Sequence, residues 1–265
     1  MTSLKETAVF FVWIVVCLVL SPYRAMACNG IECLPDTIER VKPAIVGIGT
    51  VQKTRRPPGV LGGTGFVIAD GNHVITNAHV IPEKFNTRYH EFLAVFTGRD
   101  RNLSVTPAEV VLTDREHDLA LLKIPGDPLP VLTLGNDETV REGEVYALSG
   151  YPLGAALGLH VVTHHCLISA ITPIILPVFR GRKLDQSRVD LLINPFDVFQ
   201  LDGTAYPGNS GSPLYDIRTG AVVGIVNMVL VKGAKENAIT DPSGITYAIP
   251  LRHVKAILKK AGLNY

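Results

Sequence analysis

The chain has little of what would mark a nucleic-acid binder, a helical bundle or a disordered polymer. Charge of one sign is missing: 25 lysines and arginines face 24 aspartates and glutamates among 265 residues. Lys5, Arg24 and Glu6 lie in the first 27 residues, so the remainder balances one for one and no global field recruits a polyanion. Long helical periodicity is absent from the body of the sequence, which argues against a bundle. Charged residues make up only 18% and hydrophobic ones 47%, which excludes a disordered chain. What is abundant is glycine, at 24, and proline, at 18, with β-branched residues in short runs between them. That pattern belongs to many strands and turns.

Lys5 precedes an apolar run from Ala8 to Leu20, broken by Ser21-Pro22 and followed by Ala25-Met26-Ala27. A membrane span needs ~20 apolar residues, so this run is short for one and suits the core of a signal peptide. The small residues at 25 and 27 predict cleavage after Ala27, an uncleaved anchor or lipidation of Cys28 being the alternatives. The expected setting is periplasmic or secreted. Cys28 and Cys33 then stand close enough for a small disulfide loop, while Cys166, in an apolar strand-like stretch, reads as a buried thiol. His164-His165-Cys166 makes a poor metal site, since neighbours on a strand point to opposite faces and no second ligand cluster accompanies them.

Asp36-Thr37-Ile38-Glu39 has capping-box spacing and predicts a short helix ending before Pro43. A dozen strand-like segments follow: Ala44–Val51, Gly63–Ala69, His73–Thr76, Phe92–Thr97, Ala108–Leu112, Leu119–Ile124, Glu144–Ser149, His160–Ile171, Val189–Ile193, Ser212–Ile217, Ala221–Val231 and Ile245–Ile249. Without long helices between them they predict an antiparallel all-β architecture. The polar stretch Gly135–Gly143 divides them into two sets of about six, which predicts two barrels with a cleft between. The expected organisation is a signal peptide over 1–27, an N-terminal region and first barrel over 28–140, and a second barrel over 141–265. Leu251–Ala261 puts Leu251, Val254, Ile257 and Leu258 on one face, with Gly262 as a stop, and predicts an amphipathic helix docked on the second barrel.

Three local patterns could carry chemistry: Thr76-Asn77-Ala78-His79-Val80, His117-Asp118-Leu119-Ala120-Leu121-Leu122 and Pro207-Gly208-Asn209-Ser210-Gly211-Ser212-Pro213. A serine hydroxyl is a weak nucleophile and needs an imidazole to take its proton during attack. The imidazolium must be oriented and stabilised by a carboxylate. The oxyanion that develops needs fixed donors, and glycines around a serine let backbone N–H groups converge on it. The order His, Asp, Ser, with Ser212 two residues after the serine, also argues against an α/β-hydrolase, which needs Gly-x-Ser-x-Gly and the reverse order.

These motifs resemble those of trypsin-like serine proteases of chymotrypsin fold, most closely the catalytic domain of the HtrA/Deg branch. The likeness runs from about Asp36 to Ala261 and includes Gly150-Tyr151-Pro152-Leu153-Gly154 and Tyr247-Ala248-Ile249-Pro250. It implies two six-stranded antiparallel barrels with a C-terminal helix. It also implies His79 as general base and acid, Asp118 as its orienter, Ser210 as nucleophile, and the amides of Gly208 and Ser210 as an oxyanion hole. The expected activity is that of a serine endopeptidase on proteins or peptides, with no metal or organic cofactor; a non-catalytic chaperone or peptide-binding module on the same fold is the alternative.

By the same resemblance the specificity pocket is formed by Thr204, Asn227, Met228 and Val229. Thr204 occupies the floor position that is acidic in tryptic relatives, and Val229 stands where wide-pocket members carry glycine. Cleavage after small or medium apolar residues follows as the expectation. Two features depart from the family: the sequence carries no PDZ-like segment after the protease region, and Thr172–Gln200 is longer than compact members need. That stretch holds Ile174-Ile175-Leu176-Pro177-Val178-Phe179, either a packed hairpin or an apolar contact for a partner, a membrane surface or activation control.

Overall fold

In the computed structural model of the chain the described residues are 30–98, 102–154, 159–174, 195–204, 206–227 and 245–265. The apolar run Ala8–Leu20, the cleavage position, Cys28, Met228 and Val229 lie outside them. Among the described residues no helix is long and apolar enough to cross a membrane.

Helix α1 spans Leu34–Val41 and begins three residues earlier than the capping-box spacing predicts. Pro35 in the first turn supplies the preset φ, and Asp36 sits inside that turn, where its charge favours the helix dipole. Asp36 therefore does not cap, and Thr37, fully buried, donates to the Arg218 carbonyl at 3.1 Å. Cys33, just before the helix, is disulfide-bonded to a partner outside the described residues, and Cys166 is free and buried. Burial pushes the Cys166 thiol up to about 12, so it is an inert core group.

Seven strands form the first sheet: β1 Ile45–Val51, β2 Gly59–Ile68, β3 His73–Asn77, β4 Phe92–Thr97, β5 Ser104–Pro107, β6 Glu109–Asp114 and β7 Leu119–Lys123. Their order is β5-β4-β1-β2-β3-β7-β6. The two end strands are consecutive in the chain, separated by Ala108 alone, whose N–H donates to the Leu93 carbonyl at 3.0 Å. They are therefore one strand bent after Pro107, its first half paired to β4 and its second to β7, which curls the sheet round on itself. The fifth strand of the expected barrel is split because proline has no N–H for the ladder.

The second sheet is a closed barrel of β8 Val145–Gly150, β9 Val162–Pro173, β10 Asp197–Asp202, β11 Pro213–Asp216, β12 Val222–Asn227 and β13 Ile245–Pro250. The strand expected at Val189–Ile193 falls outside the described residues, and its place in the barrel is taken by β10. A bulge between Gln200 and Leu201 interrupts the period of two that would have revealed β10. At the base of the long stretch the β9–β10 ladder reaches Pro173 and Asp197, and the Ile174 N–H donates to the Phe196 carbonyl at 2.9 Å. Ile174 itself packs on Val198; residues 175–194 lie outside the described set.

The C-terminal helix, α2 Leu251–Lys260, buries Leu251, Val254, Ile257 and Leu258 as its spacing predicts. It is not confined to the second barrel. It packs on β12 and β13 but also on β6 and β7 of the first sheet, and one core cluster runs through both barrels and the helix. Arg252 reaches the buried Asp137 at 2.6 Å, and Lys255 donates to the Gly135 carbonyl at 2.7 Å, so the helix also pins the segment that links the barrels.

Candidate active site

The barrels meet where β3 and the β6–β7 turn face β12 and the loop before β11. β3 runs straight into a 3₁₀ turn, Ala78–Val80, that carries His79. Asp118 ends the β6–β7 turn in a left-handed conformation, φ 51°. For a residue with a Cβ that conformation costs about 1–2 kcal/mol and persists only where the surroundings hold it. Five donors do so. The Asp118 carbonyl accepts from the Ala78 N–H and from Asn77 Nδ2, both at 3.0 Å. Its carboxylate accepts from the His79 N–H at 2.9 Å, from His79 Nδ1 at 2.5 Å and from Asn227 Nδ2 at 2.7 Å. A carboxylate facing Nδ1 holds the proton there and leaves Nε2 with its lone pair.

Asn227 is the group that sequence reasoning assigned elsewhere. Placed among the pocket residues by its position at the end of β12, it is fully buried and its side chain turns to Asp118. Through it the second barrel grips the carboxylate of the first. A lone Asn at the end of an apolar strand, Gly-Ile-Val-Asn, was the available signal: burying an amide there demands a polar partner.

Ser210 is buried, 5% exposed, in the loop Pro207–Ser212 ahead of β11. Its carbonyl accepts from the Thr64 N–H of β2 at 2.8 Å. Gly63, the preceding residue, lies against both that carbonyl and Val80, the residue after His79; a Cβ there would come within 2.9 Å of Ser210 O. A single glycine of β2 thus separates the segment bearing the imidazole from the segment bearing the hydroxyl. Among the described residues His79 makes no hydrogen bond to the Ser210 hydroxyl; its ring bond is to Asp118.

The loop's peptide planes are set by their carbonyls. The Pro207 carbonyl accepts from the Leu153 N–H at 2.6 Å, and the Asn209 carbonyl from the Ser212 N–H at 3.0 Å. Across a trans peptide the N–H points the opposite way, so those of Gly208 and Ser210 are turned away from these donors. Neither amide has an acceptor among the described residues. Gly208 takes φ 103°, and a Cβ there would run into the Tyr151 carbonyl, so only glycine fits. Ser212 is tolerated because Gly150 lies opposite; any side chain at 150 would meet the Ser212 hydroxyl.

Thr204 is half-buried shortly before this loop, and the neighbouring Gly203 carbonyl accepts from Thr246 Oγ1 at 2.5 Å. Asp202 is exposed at the end of β10. The remaining pocket candidates, Met228 and Val229, fall outside the described residues.

Behind Asp118 lies a second imidazole–carboxylate pair, His117 Nδ1 on Asp114 Oδ2 at 2.9 Å. The His117 ring stacks on His253 of α2 with centroids 4.0 Å apart, and Phe196 tilts against both. Burial, then the nearby His117 and Arg252, push His253 down to about 4. Burial opposes ionisation of Asp114, yet the bonds from His117 hold its carboxyl below the usual range.

The model of one protein family, described as "Trypsin-like peptidase domain", matches residues 63–225, more than half of the chain. The chain belongs to that family. Among its trypsin-like relatives is "Serine protease HTRA1A" of Danio rerio, 29% identical over 232 residues that cover 86% of this chain and 41% of that protein. Another, "Probable periplasmic serine endoprotease DegP-like" of Hahella chejuensis, is 28% identical over 93% of this chain and 51% of its own length. The chain therefore spans about half, or less, of the curated relatives it matches. Of solved structures, "HtrA-type protease AlgWS227A with tripeptide" covers 87% of this trypsin-like chain at 25% identity with a TM-score of 0.59. A second, "HtrA-type protease AlgW with decapeptide", reaches a TM-score of 0.63 at 24% identity over 88% of it.

Proposed function

We propose that the protein is a serine endopeptidase of the HtrA type, with His79 as general base and acid, Asp118 as the residue that orients it, and Ser210 as nucleophile. The observation that carries the reading is the clasp on Asp118: with Nδ1–H held by that carboxylate, Nε2 is the atom left to accept a proton. As the Ser210 hydroxyl attacks a scissile carbonyl carbon, its proton passes to Nε2 and the carbonyl electron pair moves onto oxygen. The Gly208 and Ser210 amides receive that oxyanion; one such donor contributes ~3 kcal/mol of barrier stabilisation. The imidazolium then returns the proton to the leaving amine, and water, activated by the same nitrogen, releases the acyl group. Catalytic hydrogen bonds are often long without substrate and tighten in the complex, consistent with the absence of a His79–Ser210 side-chain bond among the described residues.

The substrates of this reading are proteins or peptides of an extracytoplasmic compartment, cut after small or medium apolar residues. The apolar run ahead of Ala25-Met26-Ala27, the disulfide at Cys33 and the word "periplasmic" in relatives' names support the compartment. Thr204, a neutral residue before the loop, supports the preference, since a buried cationic side chain would find no charge to pair with it. A fluorophosphonate probe tests the chemistry: label is expected on Ser210, lost in Ser210→Ala and reduced in His79→Ala. No label on the folded protein under any condition would leave the non-catalytic reading instead. Digestion of a peptide library tests the pocket, and dominant cleavage after Lys or Arg would reject the apolar preference.

A further inference from the structure

Thr64 belongs to the first barrel, yet it holds the loop of Ser210 at two points and the Tyr151 segment at a third. Its N–H donates to the Ser210 carbonyl at 2.8 Å. Its hydroxyl donates to the Gly208 carbonyl at 2.7 Å. The same hydroxyl accepts from the Tyr151 N–H at 3.0 Å. The side chain is fully buried, and its own carbonyl accepts from Thr76 Oγ1 at 2.7 Å, so the group is fixed from the strand that leads to His79. One hydroxyl, used as donor and as acceptor, therefore ties the Gly208–Asn209 peptide to the segment whose next N–H, that of Leu153 after Pro152, holds the Pro207 carbonyl.

Those two carbonyls flank Gly208. The Pro207 carbonyl sets the plane that carries the Gly208 N–H; the Gly208 carbonyl sets the next one. If the second plane turns, φ and ψ at Gly208 must change, and glycine offers no steric resistance to that turn. Locally one bond opposes it, from the Asn209 N–H to the Tyr206 carbonyl at 2.9 Å; the Asn209 side-chain amide adds nothing, being buried with neither its oxygen nor its nitrogen hydrogen-bonded among the described residues. Thr64 holds the carbonyl end of the same plane, and does so from the first barrel.

We infer that Thr64 is a positioning residue for catalysis: its buried hydroxyl, by bridging the Gly208 carbonyl and the Tyr151 N–H, keeps the Gly208 and Ser210 amides aimed together as an oxyanion hole. The inference rests on the reading of Ser210 as nucleophile. It assigns to the first barrel control over a donor pair that lies wholly in the second. A threonine serves where valine, the same shape, does not, because the valine methyl neither donates nor accepts.

The test is steady-state cleavage of a peptide substrate, together with the rate of fluorophosphonate labelling, for the parent chain, Thr64→Val and Thr64→Ser, with thermal melting as the check on folding. Thr64→Val is expected to lower kcat and the labelling rate by roughly 10- to 100-fold, less than outright removal of an oxyanion donor, with KM changed by no more than about threefold. Thr64→Ser, which keeps the hydroxyl and loses only a methyl, is expected to recover most of that loss. A structural role alone would lower the melting temperature of both variants without separating kcat from KM. Should valine not be accepted by the core, Thr64→Ser and Thr64→Ala differ by the hydroxyl alone and give the same comparison. Equal kcat for the members of either folded pair overturns the inference while leaving the peptidase reading intact. Failure of the parent itself to cleave and to label Ser210 overturns both.

Discussion

Acidification from pH 7 to pH 5 should loosen the fold through His253, by an amount that the structure lets one work out. The ring is packed between His117 and Phe196 on the inner face of α2, and burial has pushed it down to about 4 from an ordinary 6.5. Between those values the unfolded chain takes up a proton that the folded chain refuses, so stability falls as pH falls through this window. At pH 5 the linkage amounts to about 2 kcal/mol if the shift is taken whole. Solvent still reaches part of the ring, and screening brings the expected loss to about 1 kcal/mol. The groups facing it do not reverse the sign: His117 and Arg252 oppose a further positive charge, and the attraction of Asp114 and Asp137 is smaller. Carboxyls held low, such as Asp114, Asp70 and Glu91, lose their contribution only as pH falls below the ordinary carboxylate range. Half-buried His164, also pushed down, acts equally in parent and variant. Urea unfolding at both pH values, for the parent and for His253→Phe, isolates the effect. The parent midpoint is expected to drop about 0.4 M further than the variant's, taking a slope of ~2.5 kcal/mol per molar. An equal drop in the two proteins would refute the reasoning.

Two further predictions concern the cleft. Asn227→Ala removes a donor to an ionised carboxylate, a bond worth about 1.5–3 kcal/mol, and should cost roughly tenfold or more in kcat/KM on a peptide substrate; unchanged kinetics would mean that the contact does not hold Asp118 in place. Gly63→Ala drives a methyl between Val80 and the Ser210 carbonyl, so labelling of Ser210 should fall by at least about tenfold while the far-UV spectrum is kept, and normal labelling would show that the segments can part without loss.

What sequence reasoning could see was local. His79, Asp118 and Ser210 each sit at the end of a short apolar strand or in a glycine-flanked turn, and such contexts are written in neighbouring residues. The buried face of α2 was equally legible, because its four apolar residues lie three and four apart on one element. What escaped was decided by partners far along the chain. Asp36 looked like a helix cap and instead lies inside the first turn of a helix that begins at Leu34, while Thr37 serves the Arg218 carbonyl, a backbone group that no side-chain pattern advertises. The strand pair at Pro107 read as one segment beginning at Ala108, since a proline normally marks an end and here marks a bend. β10 was displaced by the apolar run ahead of it because its own alternation is broken by a bulge. Asn227 and Thr64 have polar roles that exist only once two barrels are in contact, and a residue's address in the sequence does not disclose which barrel it will bond to.

The placement of α2 makes a helix outside both sheets the keeper of their alignment. Since the helix rests on β6 and β7 as well as β12 and β13, it helps to set the angle at which the halves meet. Cutting the chain before Leu251 would spare every side chain named in the mechanism and still let His79 and Ser210 drift apart, as a hinge pin pulled from a door leaves both leaves undamaged.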